Sequence, residues 1–168
     1  MTDTVDKDTR SYIMAQVKGK NTRPEVMFRK AIFARGFRYR LHRKDLPSKP
    51  DLVFPRINAV IFIHGCLWHW HGCTRSRMPE TNADYWTKKI ERNKSRDIEH
   101  QSLLLSLGWR VLVVWECSLK VRYLEAVVDL AADWLNDGSM TRCGSIQLEQ
   151  SATKGKTRVQ LADKMPKI

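Results

Sequence analysis

The side chains best suited to chemistry sit together in one short stretch. His64, Cys66, His69, His71 and Cys73 fall between positions 64 and 73, a span with three of the five histidines and two of the four cysteines. Zn²⁺ takes four ligands from Cys and His, and closed sets of this kind are structural. Cys66, His71 and Cys73 are near enough in sequence to converge through one turn, and Cys117 closes the next apolar run. If the two runs are neighbouring strands, a Cys₃His zinc site is expected. The plainer alternative is that Cys66 and Cys117 are ordinary buried thiols.

That set leaves His64 and His69, with Asp51, Glu25 and Asp97 as carboxylates elsewhere in the chain. A histidine near neutral pKa takes a proton from water, and a carboxylate holds Mg²⁺ beside a phosphate. The combination suits metal-assisted phosphodiester hydrolysis. Spacing alone weighs this evenly against satisfied polar residues, and Glu25 also has a local role as the acid of the capping box Thr22-Arg23-Pro24-Glu25. Leu67, Trp68 and Trp70 are interleaved with the cluster, and Trp86 opens a later helix. In a basic protein such side chains stack on or wedge between bases, whereas Trp109 and Trp115 sit in or beside an apolar run and read as core.

The elements that must position these groups follow from pattern. Asp8–Val17 reads as a short helix capped by Asp8, with Met14 on its apolar face. A second helix starts at the capping box and stops before Gly36. Phe37–Leu41, Asp51–Phe54 and Ala59–His64 read as strands, the last two as a hairpin that brings Asp51 near 62–64. Asp84–Leu107 is a long helix with a charged middle. Trp109–Cys117 is a buried strand, and Leu124–Leu135 an apolar-faced helix. Residues 138–168 lack strong periodicity and read as a weakly ordered basic tail on a single domain, 1–137. The fold class is therefore α/β, a mixed sheet flanked by helices.

The charge of +12 is uneven: +8 over residues 1–50, zero over 51–137 and +4 over 138–168. A surplus at both ends of a neutral centre points to a polyanionic partner, nucleic acid above all. The cysteines do not suit a disulfide framework, and no signal or membrane-length apolar segment is evident, so a cytoplasmic location is expected.

The run His64-Gly65-Cys66-Leu67-Trp68-His69-Trp70-His71-Gly72-Cys73 closely resembles the signature of the very short patch repair (Vsr) DNA mismatch endonucleases. So do Arg10-Ser11 with Met14, Thr22–Glu25, Lys49–Phe54, Asn93 with Arg96-Asp97, and Gly108–Val111 leading to Val114–Cys117. The resemblance spans roughly residues 5 to 137 in order. It implies a restriction-endonuclease-like fold (PD-(D/E)XK type) and Mg²⁺-dependent nicking of one DNA strand 5′ to the thymine of a T:G mismatch, the product of 5-methylcytosine deamination. By likeness, Asp51 and the backbone carbonyl of Ile63 bind Mg²⁺, His69 is the general base, and His64, Glu25 and Asp97 support them. Cys66, His71, Cys73 and Cys117 hold zinc. Leu67, Trp68 and Trp86 enter the duplex from the major groove and Met14 wedges from the minor groove. Leu67 stands where the family commonly has Phe, and Ile63 where some members have a hydroxyl residue. No lysine follows Asp51 in the restriction-enzyme manner, which agrees with histidine as base. The expected partners are mismatched double-stranded DNA and other repair proteins, with the chain a monomer that touches no membrane. The alternatives are a zinc-stapled DNA-binding module without chemistry and a restriction endonuclease cutting matched DNA.

Overall fold

A computed structural model describes residues 6, 8, 9, 12, 15, 16, 19–138, 142–150 and 157–163. Six strands form one mixed sheet in the order β1 (Arg40–Leu41), β2 (Leu52–Phe54), β3 (Ala59–His64), β4 (Arg110–Trp115), β5 (Cys143–Gln150) and β6 (Thr157–Asp163). β1–β2, β2–β3 and β5–β6 are antiparallel, whereas β3–β4 and β4–β5 are parallel. Helices α1 (Arg23–Ala34), α2 (Cys66–His69), α3 (Ala83–Ser106) and α4 (Val121–Asn136) accompany the sheet.

Alternation along the strands divides the core. Leu52, Phe54, Ala59, Ile61, Leu112 and Val114 face one side, where Phe28 and Ile32 of α1 and Val127, Ala131 and Trp134 of α4 cover them. Val53, Val60, Phe62, Val111, Val113 and Trp115 face the other, under Leu104 of α3. Period-2 placement with both faces buried explains why the central strands read as unbroken apolar runs. The α/β reading holds.

The ends of elements differ from the sequence reading. Only Arg40–Leu41 of the expected first strand pairs, and β4 stops at Trp115, so Cys117 lies in a 3₁₀ turn, Glu116–Ser118. The reading of residues 138–168 as a weakly ordered tail is corrected: 143–150 and 157–163 are strands, and β5 extends the sheet beside β4. Ile146 and Leu148, and Val159 and Leu161, alternate over stretches too short to stand out among polar residues; Ile146 is fully buried. At the N-terminus, Asp8, Thr9, Tyr12 and Ala15 are helical. The cap is Asp6, not Asp8, because its carboxylate accepts the Thr9 amide at 2.8 Å and hydroxyl at 2.9 Å. Met14 lies outside the described residues. Among the described residues no helix is long and apolar enough to cross a membrane.

Candidate active site and metal centre

The hairpin of β2 and β3 brings the first carboxylate to the site. Leu52 pairs with Ile61, so Asp51 stands one step beyond β2, beside the end of β3. Ser48 and Lys49 hold positive φ of 58° and 50°, a tight reversal before Pro50 that aims Asp51 inward. Its Oδ2 accepts the Ile63 amide at 2.7 Å. The amide and carbonyl of one strand residue point to the same strand edge, so the Ile63 carbonyl is also on the Asp51 side. Burial pushes the Asp51 carboxyl up to about 6, and nearby Glu25 adds to this. The Ile63 amide, His42 and His69 oppose the rise.

Glu25 is buried and has two duties. Oε2 accepts the Thr22 amide at 3.3 Å, completing the capping box, while Oε1 accepts Arg29 at 2.9 Å. The same Oε1 lies 3.4 Å from His42 Nε2. The other His42 nitrogen, Nδ1, is 3.7 Å from Asp51 Oδ1. His42 is absent from the candidates that the sequence singles out. The available signal was that it is one of just five histidines, set between two candidate carboxylates.

β3 also delivers the histidines. His64 ends the strand and is buried, and its ring stacks on His69 with centroids 3.8 Å apart. His69 ends α2, and its Nδ1 meets Asp97 Oδ2 of α3 at 2.5 Å. That contact fixes the ring and leaves Nε2 as the nitrogen able to take a proton. A cleft of about 440 Å³ collects Asp51, His42, His64, His69 and Asp97, with Lys20, Lys44, Lys49 and Arg96 in its walls. The basic walls suit a phosphodiester backbone.

α3 lays one stripe against α2. Trp86, Lys89, Asn93 and Asp97 follow at i, i+3, i+7 and i+11, which is one helix face. Asn93 donates to the Trp68 carbonyl at 2.9 Å. Trp68 and Trp86 meet at 5.6 Å between centroids, and the Lys89 ammonium lies 5.4 Å and 5.6 Å from the two rings. Leu67 and Trp68 are half-buried. Gly65 leaves room for this arrangement, since a Cβ there would stand 3.0 Å from Trp68 Cδ1.

The remaining members of the stretch form a separate centre. Trp70, at φ 47°, ends α2 in the left-handed region, and Gly72, at φ 83°, turns the chain again. These turns bring His71 and Cys73 back to Cys66. The parallel pairing of His64 with Trp115 places Cys117 alongside. His71 Nε2 lies 3.4 Å from Cys66 Sγ and 3.5 Å from Cys117 Sγ, and Cys73 completes the group. Tetrahedral Zn²⁺ with its usual bond lengths separates S and N ligands by roughly 3.6 Å, so the donor set and its spacing fit zinc. Cys117 is held well below the usual thiol range because Cys66 donates to it, with His71 assisting; Cys66 keeps the shared proton. Trp115 joins the two centres: His71 stacks on it at 4.0 Å and His64 meets its edge at 5.3 Å.

A family model described as DNA mismatch endonuclease Vsr matches residues 2–75. The DNA mismatch endonuclease Vsr of Escherichia coli K12 is 36% identical over 158 residues, 92% of this chain and 97% of that protein. The type II nicking enzyme V.XorIIP of Xanthomonas oryzae pv. oryzae is 50% identical over 119 residues, covering 71% of this chain and 88% of the relative. The type II nicking enzyme V.NmeAIP of Neisseria meningitidis serogroup A is 44% identical over 120 residues, or 71% and 86%. Identity at this level over most of both chains, together with a basic cleft lined by His and Asp beside a Cys₃His cluster, makes this chain a member of the Vsr DNA mismatch endonuclease family.

Proposed function

We propose that this chain is a DNA mismatch repair endonuclease that nicks one strand 5′ to the thymine of a T:G pair, using Mg²⁺ for hydrolysis and zinc for structure. The observation that carries the hydrolytic reading is His69 held by Asp97 in the same basic cleft as Asp51. A binding module needs neither group.

Asp51 and the Ile63 carbonyl would hold Mg²⁺, which when bound supplies a Lewis acid for the phosphoryl oxygens. Asp97 fixes the His69 ring through Nδ1, so Nε2 takes the proton of the attacking water. The water oxygen bonds to phosphorus as the ester P–O bond breaks. His64, stacked on His69, keeps that ring from turning. Glu25 adds negative charge behind Asp51. Trp68 and Trp86, paired across α2 and α3, would enter the stack beside the mispair with Leu67, and Met14 is assigned the minor-groove side by the family likeness alone.

The test is cleavage of end-labelled duplexes carrying T:G or T:A at one site. Nicking confined to the T:G duplex is expected. Double-strand cuts in matched DNA would overturn the mismatch reading, and no cutting with intact binding would leave a binding module. For the wedge, Trp68→Ala should weaken T:G binding by about 1–3 kcal/mol, the usual worth of a base–aromatic stack, and matched binding much less. Gly65→Ala should do the same more mildly, because its methyl displaces the Trp68 ring while Gly65's own backbone angles suit alanine. Equal losses on both duplexes would instead give Trp68 a packing role.

A further inference from the structure

His42 has no part in the chemistry above, yet its surroundings are unusual. Its ring lies between two carboxylates, with Nε2 toward Glu25 and Nδ1 toward Asp51. Nε2 is buried and makes no hydrogen bond. The backbone holds φ of 46°, a left-handed conformation that costs a non-glycine residue energy and persists only where its surroundings enforce it. Glu25, His42 and Asp51 each present one donor atom, and these three atoms lie within 4.8 Å of one another. The other two donor clusters among the described residues are already accounted for, one by the Cys₃His centre and one by the His69–Asp97 pair.

Two carboxylate oxygens and one imidazole nitrogen are a donor set with a preference. Mg²⁺ favours oxygen and keeps its waters, whereas imidazole suits first-row transition ions. We infer that His42 is a direct ligand, and that Glu25, His42 and Asp51 together form a site for a first-row transition dication such as Mn²⁺, bound more tightly than Mg²⁺. The inference rests on Asp51 being a metal-binding carboxylate. It adds a nitrogen donor, contributed by the turn after β1, which sets the choice of ion.

The experiment uses the full chain carrying one equivalent of zinc, without DNA. Mn²⁺ is titrated and followed by the electron paramagnetic resonance of the free ion, with Mg²⁺ added as competitor. About one Mn²⁺ per chain is expected beyond the zinc. His42→Gln should weaken Mn²⁺ binding about tenfold or more and Mg²⁺ binding less than about twofold, in line with the ligand preference. Pulsed resonance should show a nitrogen coupling to bound Mn²⁺ that survives in His69→Gln and is lost in His42→Gln. His42→Asn serves if the glutamine variant loses zinc or helix content. A nitrogen coupling that persists in both His42 variants would overturn the inference, as would equal weakening of the two ions, which would make His42 only a positioning residue. Asp51→Ala separates the two levels. If it leaves Mn²⁺ affinity intact, the metal reading of Asp51 falls, and the inference with it. If it abolishes binding while His42→Gln changes nothing, only the role of His42 falls.

Discussion

Replacing Asp51 with Asn should abolish nicking and yet raise the melting temperature. The first half follows from the proposed role of Asp51 in holding Mg²⁺ at the scissile phosphate, with a loss of about a thousandfold or more. The second half follows from burial. With its carboxyl pushed up to about 6, native Asp51 keeps its proton to a higher pH than the unfolded chain, where the ordinary value is 3.8. Between these values the unfolded chain ionises first and binds fewer protons, so native stability falls as pH rises. Above about pH 6 the full cost is present, on the order of 2 kcal/mol once the remaining exposure of the side chain is allowed for. Asn keeps an oxygen for the Ile63 amide without the charge. In zinc-loaded protein free of other divalent ions, thermal unfolding at pH 7.5 should shift upward by roughly 4–8 °C, and the gain should vanish near pH 4. A gain that is independent of pH, or a loss at both, would show that the Asp51 carboxylate carries no such cost.

The second large effect belongs to the Cys₃His centre. Cys117→Ser should lower zinc content from about one equivalent to well below it and destabilise the fold by roughly 4 kcal/mol or more, the scale associated with a lost metal site. Cys117 joins the turn after β4 to the stretch after β3, so its loss frees the segment that also carries Trp68 and His69. Nicking should fall with stability, because His71 stacks on Trp115 and Trp115 meets His64. Elemental analysis and calorimetry check the first claims. Full zinc with an unchanged melting temperature in Cys117→Ser would remove Cys117 from the centre.

The sequence carried the frame because its central strands are buried on both faces and read as apolar runs. The capping box located α1, and the Asp51–Phe54 and Ala59–His64 runs paired as the expected hairpin. The four candidate ligands at 66, 71, 73 and 117 converge in the fold. What pattern could not supply were features decided by turns. The left-handed backbone at Trp70 that folds His71 back is not a propensity of tryptophan. His42 is brought to Glu25 and Asp51 by another left-handed residue in a loop without periodicity. β5 and β6 were missed because each has only a brief alternation, and β5 depends on an open edge of β4 that local sequence does not reveal.

Trp68 and His69 are consecutive residues in one turn of helix. Side chains of adjacent helical residues diverge by about 100°, which sends one ring toward Trp86 and the other to Asp97. Their α-carbons are fixed about 3.8 Å apart by a planar peptide, close to the roughly 3.4 Å rise of one nucleotide along a DNA strand. In the proposed reading, in which Trp68 enters beside the mispair and His69 serves the phosphate, the two duties fall on adjoining residues of one helical turn. On that reading, a change of flanking sequence should alter how often the strand is cut rather than where.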